Sequence, residues 1–123
     1  HHPVIGVNGR MDTIQCAVLL AKMPSFPDEV AARGRIGARY TTLINDSCPN
    51  ARAPRIEAHN SSVYAQYTVE VADREAVQQK LQAAGIPTAV HYPTPLHLQP
   101  AFAALGLGEG ALPVSERAAA RVM

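Results

Sequence analysis

The sequence predicts an α+β fold in which long helices are followed by a small sheet packed on helices. Three observations predict it. Apolar residues recur at helical spacing over the first 45 residues, residues 63–71 alternate between apolar and polar, and a capped helical stretch follows them. The chain has 123 residues, the size of one domain. Such a chain buries roughly two-thirds of its unfolded surface, which is enough for one modest core.

The first helix is predicted to begin at Asp12. Residues 1–10 contain proline and glycine breakers, so we expect an extended entry segment there. Asp12 is followed three residues later by Gln15, a variant of the capping box, and apolar residues then recur at helical spacing. Pro24 and Pro27 are expected to stop or kink this helix.

A second helix is predicted over residues 28–44, and a polar loop follows it. The loop separates a helical first part from a mixed second part. We therefore divide the chain into residues 1–45 (entry loop and connecting helices), 46–62 (loop) and 63–123 (a small α/β domain).

The second part predicts a β-α-β unit. Residues 63–71 read as a strand with one apolar face, and Asp73 is placed to cap the helix after it. Gly85 supplies the left-handed residue that ends this helix, and residues 86–90 form a short apolar strand. A tight connection of this kind places the two strands in parallel.

The remaining segment predicts two helices. After a proline-rich turn, a short helix is expected near residues 99–105. The last helix is expected to be capped by Ser115 and to continue to Met123, where the sequence stops.

Composition excludes several classes of protein. Eleven basic and ten acidic residues give a net charge of +1, so neither a polyanion-binding tail nor a nucleic-acid surface is indicated. The longest apolar run, residues 16–21, is far too short to span a membrane. Cys16 and Cys48 lie outside any metal-binding spacing and are expected to be free thiols in a reducing cytoplasm.

The first candidate site is the segment Gly-Val-Asn-Gly-Arg at residues 6–10. The Asn8 amide and the Arg10 guanidinium, spaced by glycine, can together present several N–H groups to one phosphate. Asp12 caps the following helix, so an anion would be held by these two side chains and not by the helix amides. The alternative interpretation is a simple turn with a solvated Arg10.

The second candidate site begins where residues 86–90 deliver His91 and Tyr92 into a segment held extended by two prolines. Both side chains can donate a hydrogen bond to one phosphate, and a rigid backbone lowers the entropy cost of presenting them. No metal site is predicted, because His91 and His97 are six residues apart and lack a matching third ligand. The alternative is a connector with a satisfied histidine.

Together the two segments resemble a known family. GVNGRMDTIQCAVLLAK (residues 6–22), followed by VHYPTPLHLQPAF (residues 90–102), is similar to the sugar-nucleotide aminotransferases of the DegT/StrS group, fold-type-I enzymes that use pyridoxal 5′-phosphate (PLP). The resemblance is strongest to the branch that aminates UDP-linked 3-keto-uronic-acid sugars for bacterial surface polysaccharides such as O-antigen. It implies that the chain is the small C-terminal domain of such an enzyme with its connecting helices.

The resemblance also implies residue roles. Asn8 would contact the PLP phosphate of the neighbouring subunit in a homodimer with shared active sites. Arg10, His91 and Tyr92 would contact the diphosphate of the UDP-sugar, and glutamate would be the amino donor. The lysine that forms the Schiff base with PLP lies in a large domain that these residues do not include. No catalytic residue is therefore expected in this segment, and by itself it is expected to be inactive.

Two alternatives remain open from the sequence. The β-α-β unit would also suit a stand-alone α+β module that binds or senses a ligand without catalysis. A family member that has lost catalysis and acts as a regulator is the other alternative. A lysine in the upstream sequence would distinguish both from an enzyme.

Overall fold

The structure, a computed structural model, describes residues 3–123, so His1 and His2 of the predicted entry loop lie outside it. Residues 3–12 form no helix or strand. The elements that follow are α1 (Thr13–Lys22), a 3₁₀ turn (Met23–Ser25), α2 (Phe26–Ser47), β1 (Ala51–Arg52), β2 (Glu70–Val71), α3 (Arg74–Ala83), 3₁₀ turns at Leu96–Leu98 and Pro100–Leu105, and α4 (Pro113–Arg121).

The predicted start of α1 is confirmed. The Asp12 side chain accepts a hydrogen bond from the Gln15 backbone N–H at 2.8 Å, and the Gln15 side chain accepts one from the Asp12 N–H. This reciprocal pair satisfies donors that the first turn of a helix leaves free. The capping box therefore fixes where the entry segment ends and α1 begins.

Helix α1 ends just before the prolines, as predicted, and α2 is longer than predicted. Helix α1 stops at Lys22, and Pro24 lies within the 3₁₀ turn that follows it. Pro27 lies within the first turn of α2, where a missing N–H leaves no hydrogen bond unmade, and α2 already begins at Phe26. Helix α2 then ends at Ser47, three residues beyond the predicted end.

The sheet is smaller than predicted and antiparallel. In β1 and β2, Ala51 pairs with Val71 and Arg52 with Glu70. On the other side of β2, Glu70 bridges to Val122, and Val69 and Met123 exchange two backbone hydrogen bonds of 2.9 and 3.0 Å. Both edges of β2 are thus occupied.

The predicted strand over residues 63–71 is wrong for most of its length. Tyr64 has φ = 44°, a left-handed conformation that interrupts an extended chain. The buried face predicted by alternation is seen only near its end, where Val71 is buried while Val63 is exposed. Residues 63–69 instead form an irregular segment whose tyrosines pack on α2.

The predicted parallel β-α-β unit is also wrong. Asp73 caps α3 as predicted, and Gly85 (φ = 76°) ends it, with the Gly85 and Ile86 N–H groups donating to the Gln82 and Leu81 carbonyls. Residues 86–90 follow but form no strand in the described structure. They have no place beside β2, because both of its edges are already paired.

The prediction for the final helix is wrong at both ends. Helix α4 begins at Pro113, a favoured first position because proline lacks an N–H, and Ser115 makes no capping hydrogen bond. The helix ends at Arg121, and Met123 pairs with Val69 instead of continuing it. Arg74 donates to the Ala119 carbonyl at 2.6 Å and to the Val122 carbonyl at 3.2 Å, satisfying carbonyls that the end of α4 leaves free.

Packing joins α2 to the second part through aromatic side chains. The rings of Tyr40 and Tyr64 lie 5.2 and 5.3 Å from that of Tyr67, and the Tyr67 hydroxyl is 2.7 Å from Thr41 Oγ1. Helices with a small antiparallel sheet make the predicted α+β class correct. The division at residues 45 and 62 stays a prediction.

Candidate functional site

The entry segment presents Asn8 and Arg10 to solvent. All described residues before α1 are exposed, with Val7 at 97%, and neither Asn8 nor Arg10 hydrogen-bonds to any described residue. Because the Asp12 carboxylate already accepts the Gln15 N–H, these two side chains are the anion donors that the segment offers. The segment therefore fits a ligand that approaches from outside the described residues.

Tyr92 lies in a cleft of about 650 Å³ that also receives the start of the entry segment. We call it the Tyr92 cleft. Its walls come from three parts of the chain, the entry segment, the proline-rich connector with its 3₁₀ turns, and α4; they include Val4, Gly6, Leu96, Gln99, Phe102 and Ser115. The structure thus brings the segment that leads to Asn8 next to Tyr92, although 80 and more residues separate them in sequence.

His91 lines a different cavity. The His91–Tyr92 peptide bond is cis, and the two rings meet edge to face at 5.7 Å. His91 borders a largely apolar cavity of about 590 Å³ between α2, α3 and residues 66–71. Asn8 and Arg10 line neither cavity. The structure therefore groups Tyr92 with the entry segment and separates His91 from it, and a shared diphosphate contact stays a prediction.

His97, to which no role was assigned from the motifs, is buried. It is 6% exposed, and its Nε2 lies 3.0 Å from Oε1 of Glu116 in the first turn of α4. The same carboxylate accepts the backbone N–H groups of Gly110, at 2.9 and 3.0 Å, and Leu112, at 3.1 Å. Glu116 therefore links the connector, the loop before α4 and α4 itself.

The electrostatics of this cluster favour an ionised carboxylate. The Gly110 N–H lowers the pKa of Glu116 most, the Leu112 N–H and His97 add to the effect, and partial burial opposes it. An ionised carboxylate only accepts hydrogen bonds, so His97 Nε2 is the donor in this pair.

Sequence reasoning missed Glu116 because it placed the start of α4 at Ser115. A signal was present. Pro113 at the first position of a helix, followed by an acidic residue in the first turn, is typical of a helix start at Pro113. A helix that begins at Pro113 places the Glu116 carboxylate beside the backbone N–H groups of the loop before it.

The other candidate residue types form no further site in the part of the chain that the structure describes. Among residues 3–123, no three His, Cys, Asp or Glu side chains are placed to hold a metal ion. Both cysteines are free, as predicted, and both are exposed. Lys22 and Lys80 are exposed on α1 and α3. No described helix is long and apolar enough to cross a membrane.

Comparison with known families decides the relationship. The sequence profile of the DegT/DnrJ/EryC1/StrS aminotransferase family matches residues 1–123. The chain belongs to this family. Family members depend on PLP, and their known substrates include nucleotide-linked keto-sugars.

Three similar proteins illustrate the relationship. The chain is 48% identical over all its residues to the UDP-2-acetamido-2-deoxy-3-oxo-D-glucuronate aminotransferase of Pseudomonas aeruginosa, covering 33% of that protein. It is 39% identical over 97% of its length to a pleiotropic regulatory protein of Geobacillus stearothermophilus, covering 32% of it. A crystal structure of a DegT DnrJ EryC1 StrS aminotransferase from Brucella abortus superposes with a TM-score of 0.81 at 43% identity, over 96% of this chain and 31% of that one. The chain thus spans about a third of the length of these relatives.

The residues present fit a PLP phosphate at one point. Asn8 offers an amide donor on an exposed, extended segment, and no described residue uses that donor. Such a segment can supply a phosphate contact to a cofactor held mainly by other parts of the protein.

Proposed function

We propose that the protein containing this chain is a PLP-dependent aminotransferase that transfers an amino group from glutamate to a UDP-linked keto-sugar. The observation that carries the proposal is the 48% identity, over every residue of the chain, to an aminotransferase of a UDP-linked 3-oxo-glucuronate. Both segments singled out by their chemistry, residues 6–10 and 91–97, lie within that match. The product would serve bacterial surface polysaccharides such as O-antigen, and the enzyme would act in the cytoplasm.

The chain's own side chains would bind and orient the substrate. The Arg10 guanidinium is suited to the diphosphate of the UDP-sugar, because a planar fork of N–H donors matches phosphate oxygens. Tyr92 adds a hydroxyl donor from its cleft, and His91 adds an imidazole donor. Binding the diphosphate, which does not react, places the sugar carbonyl at the cofactor.

Asn8 would contact the cofactor across a subunit interface. When bound, PLP supplies an electron sink for amino-group transfer. The exposed entry segment supports a contact with another subunit, because Asn8 has no partner among the described residues of its own chain. We infer a homodimer in which each active site contains residues of both subunits.

The test uses the full-length protein with PLP, glutamate and a UDP-linked 3-keto-uronic-acid sugar. We expect 2-oxoglutarate to form together with the amino sugar, and the reverse reaction to run from the amino sugar and 2-oxoglutarate. A reaction without nucleotide sugar is the control. Absence of transfer in both directions, in a folded protein loaded with PLP, would contradict the proposal.

A second candidate function is regulatory. It is favoured by the 39% identity to a protein named as a pleiotropic regulator. The full-length sequence distinguishes the two functions, because an enzyme of this family needs a lysine that binds PLP covalently, and a regulator without catalysis does not.

A further inference from the structure

The connector between Tyr92 and Pro100 contains the two buried polar side chains of residues 3–123. His97 is 6% exposed and Gln99 4%. Burying a polar side chain is unfavourable unless it is hydrogen-bonded. Both satisfy this condition: His97 bonds to Glu116, and Gln99 Nε2 donates to the Thr94 carbonyl at 3.1 Å.

These hydrogen bonds hold the connector in one conformation. The Leu98 N–H donates to the Pro95 carbonyl at 3.1 Å, and the Gln99 N–H donates to the Leu96 carbonyl at 3.0 Å. The Gln99 side chain donates to the Thr94 carbonyl, so the hydrogen-bonded turn of residues 94–99 follows Tyr92 closely in the chain. Within the turn, His97 provides the hydrogen bond to α4.

The partner of His97 is itself held firmly. Glu116 accepts the Gly110 and Leu112 N–H groups as well as His97 Nε2. Its neighbour Ser115 lines the Tyr92 cleft together with Leu96 and Gln99. The wall formed by α4 and the wall formed by the connector therefore meet at the His97–Glu116 hydrogen bond.

We propose that His97, through its hydrogen bond to Glu116, is a positioning residue that sets where the connector presents Tyr92 to the nucleotide sugar. The proposal rests on the proposed function. His97 does not reach the substrate itself in this arrangement, because it is buried and its Nε2 is used by Glu116. Its effect passes through the turn of residues 94–99 to Tyr92.

The test compares three variants of the full-length protein. H97L removes the donor and keeps an apolar side chain in the buried position. H97Q keeps a donor near the place of Nε2. E116Q weakens the same hydrogen bond from the α4 side. A carboxylate accepts the two backbone N–H groups and His97 Nε2 with two oxygens, whereas a glutamine side chain has a single accepting oxygen. H59L is the matched control, since His59 is exposed and forms no hydrogen bond with a described residue.

We expect H97L and E116Q to raise the KM for the UDP-sugar, and the Kd for UDP measured by calorimetry, by about two- to tenfold, because their effect passes through Tyr92 and is limited to what its hydrogen bond contributes. The rate of the glutamate half-reaction should change less than about twofold, since glutamate carries no diphosphate. H97Q should recover most of the UDP affinity, and H59L should match the wild type. Amide exchange at Leu98 and Gln99 should be faster in H97L than in H97Q.

Three outcomes would overturn the positioning role. They are unchanged UDP affinity in folded H97L or E116Q, equal loss in H97Q and H97L, and equal slowing of the glutamate and sugar half-reactions. If H97L does not fold, E116Q and H97Q decide by the same criteria. If the wild type neither binds UDP nor transfers an amino group, the proposed function fails, whereas wild-type binding with unaffected variants rejects only the positioning role.

Discussion

The ring of Tyr64 lies directly on Gly37 of α2, so closely that a Cβ at position 37 would overlap the ring. Gly37 is the buried residue of this helix. Replacing Gly37 by Ala should therefore displace Tyr64 and disturb its stacking on Tyr67. Overpacking of this kind costs about 1–3 kcal/mol, and the higher helix propensity of alanine offsets about 0.5–1 kcal/mol of it, so we expect a net fall in the free energy of unfolding measured by urea denaturation.

Gly34, one turn earlier in α2, is the matched control. A Cβ there meets nothing within 4 Å. Gly34→Ala should thus raise stability by about 0.5–1 kcal/mol, because alanine favours a helix interior over glycine. Destabilisation by both substitutions, or by neither, would contradict the close approach of Tyr64.

Stability in acid should depend on Glu116. Its pKa is lowered in the folded protein, chiefly by the Gly110 N–H, so its contribution is present above the ordinary value of 4.5 and is lost as the pH falls through the folded value. Glu116→Gln should lower the melting temperature at pH 7, and the gap to the wild type should narrow as the pH falls below 4.5. Thermal melts across this pH range measure the effect.

Glu57→Gln is the control for that measurement. Glu57 pairs with Arg55 at 3.2 Å, but both side chains are largely exposed, and such pairs contribute little. We expect E57Q to have the same melting temperature as the wild type at every pH. An E116Q gap that stays constant as the pH falls from 7 to well below 4.5 would show that the carboxylate charge is not what stabilises the loop before α4.

Arg10 is predicted to act on the substrate and not on the cofactor. In the full-length enzyme, Arg10→Ala should weaken UDP-sugar binding by about 1.5–3 kcal/mol, or roughly 10- to 150-fold, the value of a charge-assisted hydrogen bond. Tyr92→Phe removes a neutral hydrogen bond and should cost about 0.5–1.5 kcal/mol. Stopped-flow measurement of the two half-reactions separates the roles: R10A should leave the glutamate half-reaction nearly intact. Loss of PLP from R10A would assign Arg10 to the cofactor instead.

Asn8 is predicted to serve the cofactor of the partner subunit. Asn8→Ala should weaken PLP retention, because one phosphate donor is lost. Mixing N8A protein with a variant that lacks the PLP-binding lysine should restore activity in heterodimers, since one of their two sites then contains both native residues. Heterodimers verified by mass that remain inactive would exclude the shared site.

Local signals in the sequence predicted the start of α1 and both ends of α3 correctly. Asp12, Asp73 and Gly85 act through hydrogen bonds to residues within five positions, so their spacing contains the information. The prediction of the sheet was wrong because strand pairing depends on residues that are distant in sequence. The partners of β2 are Ala51–Arg52 and residues 122–123, and alternation along residues 63–71 carries no information about such distant pairing. The alternation also contains no sign of the left-handed backbone conformation of Tyr64.

The phosphate contacts assigned to Asn8, Arg10, His91 and Tyr92 stay predictions, and the structure bears only on where these residues lie. The sequence placed phosphate donors at Asn8, Arg10 and Tyr92, and the structure brings the start of the entry segment to Tyr92. Nothing in the sequence indicated that His91 and Tyr92 line different cavities. The bond between His97 and Glu116 joins residues 19 apart through the start of α4, and its prediction required that start to be placed at Pro113.

The pairing of Val69 with Met123 and the contact of Arg74 with Val122, 48 residues away, impose an order on folding. The backbone hydrogen bonds of α1, α2 and α3 join residues close in sequence, but this edge of β2 must wait for a long loop to close, which costs entropy before any contact forms. During synthesis, the edge therefore stays open until residues 119–123 leave the ribosome. Over that interval it is a template on which another nascent chain can pair, and the arrival of α4 ends the exposure.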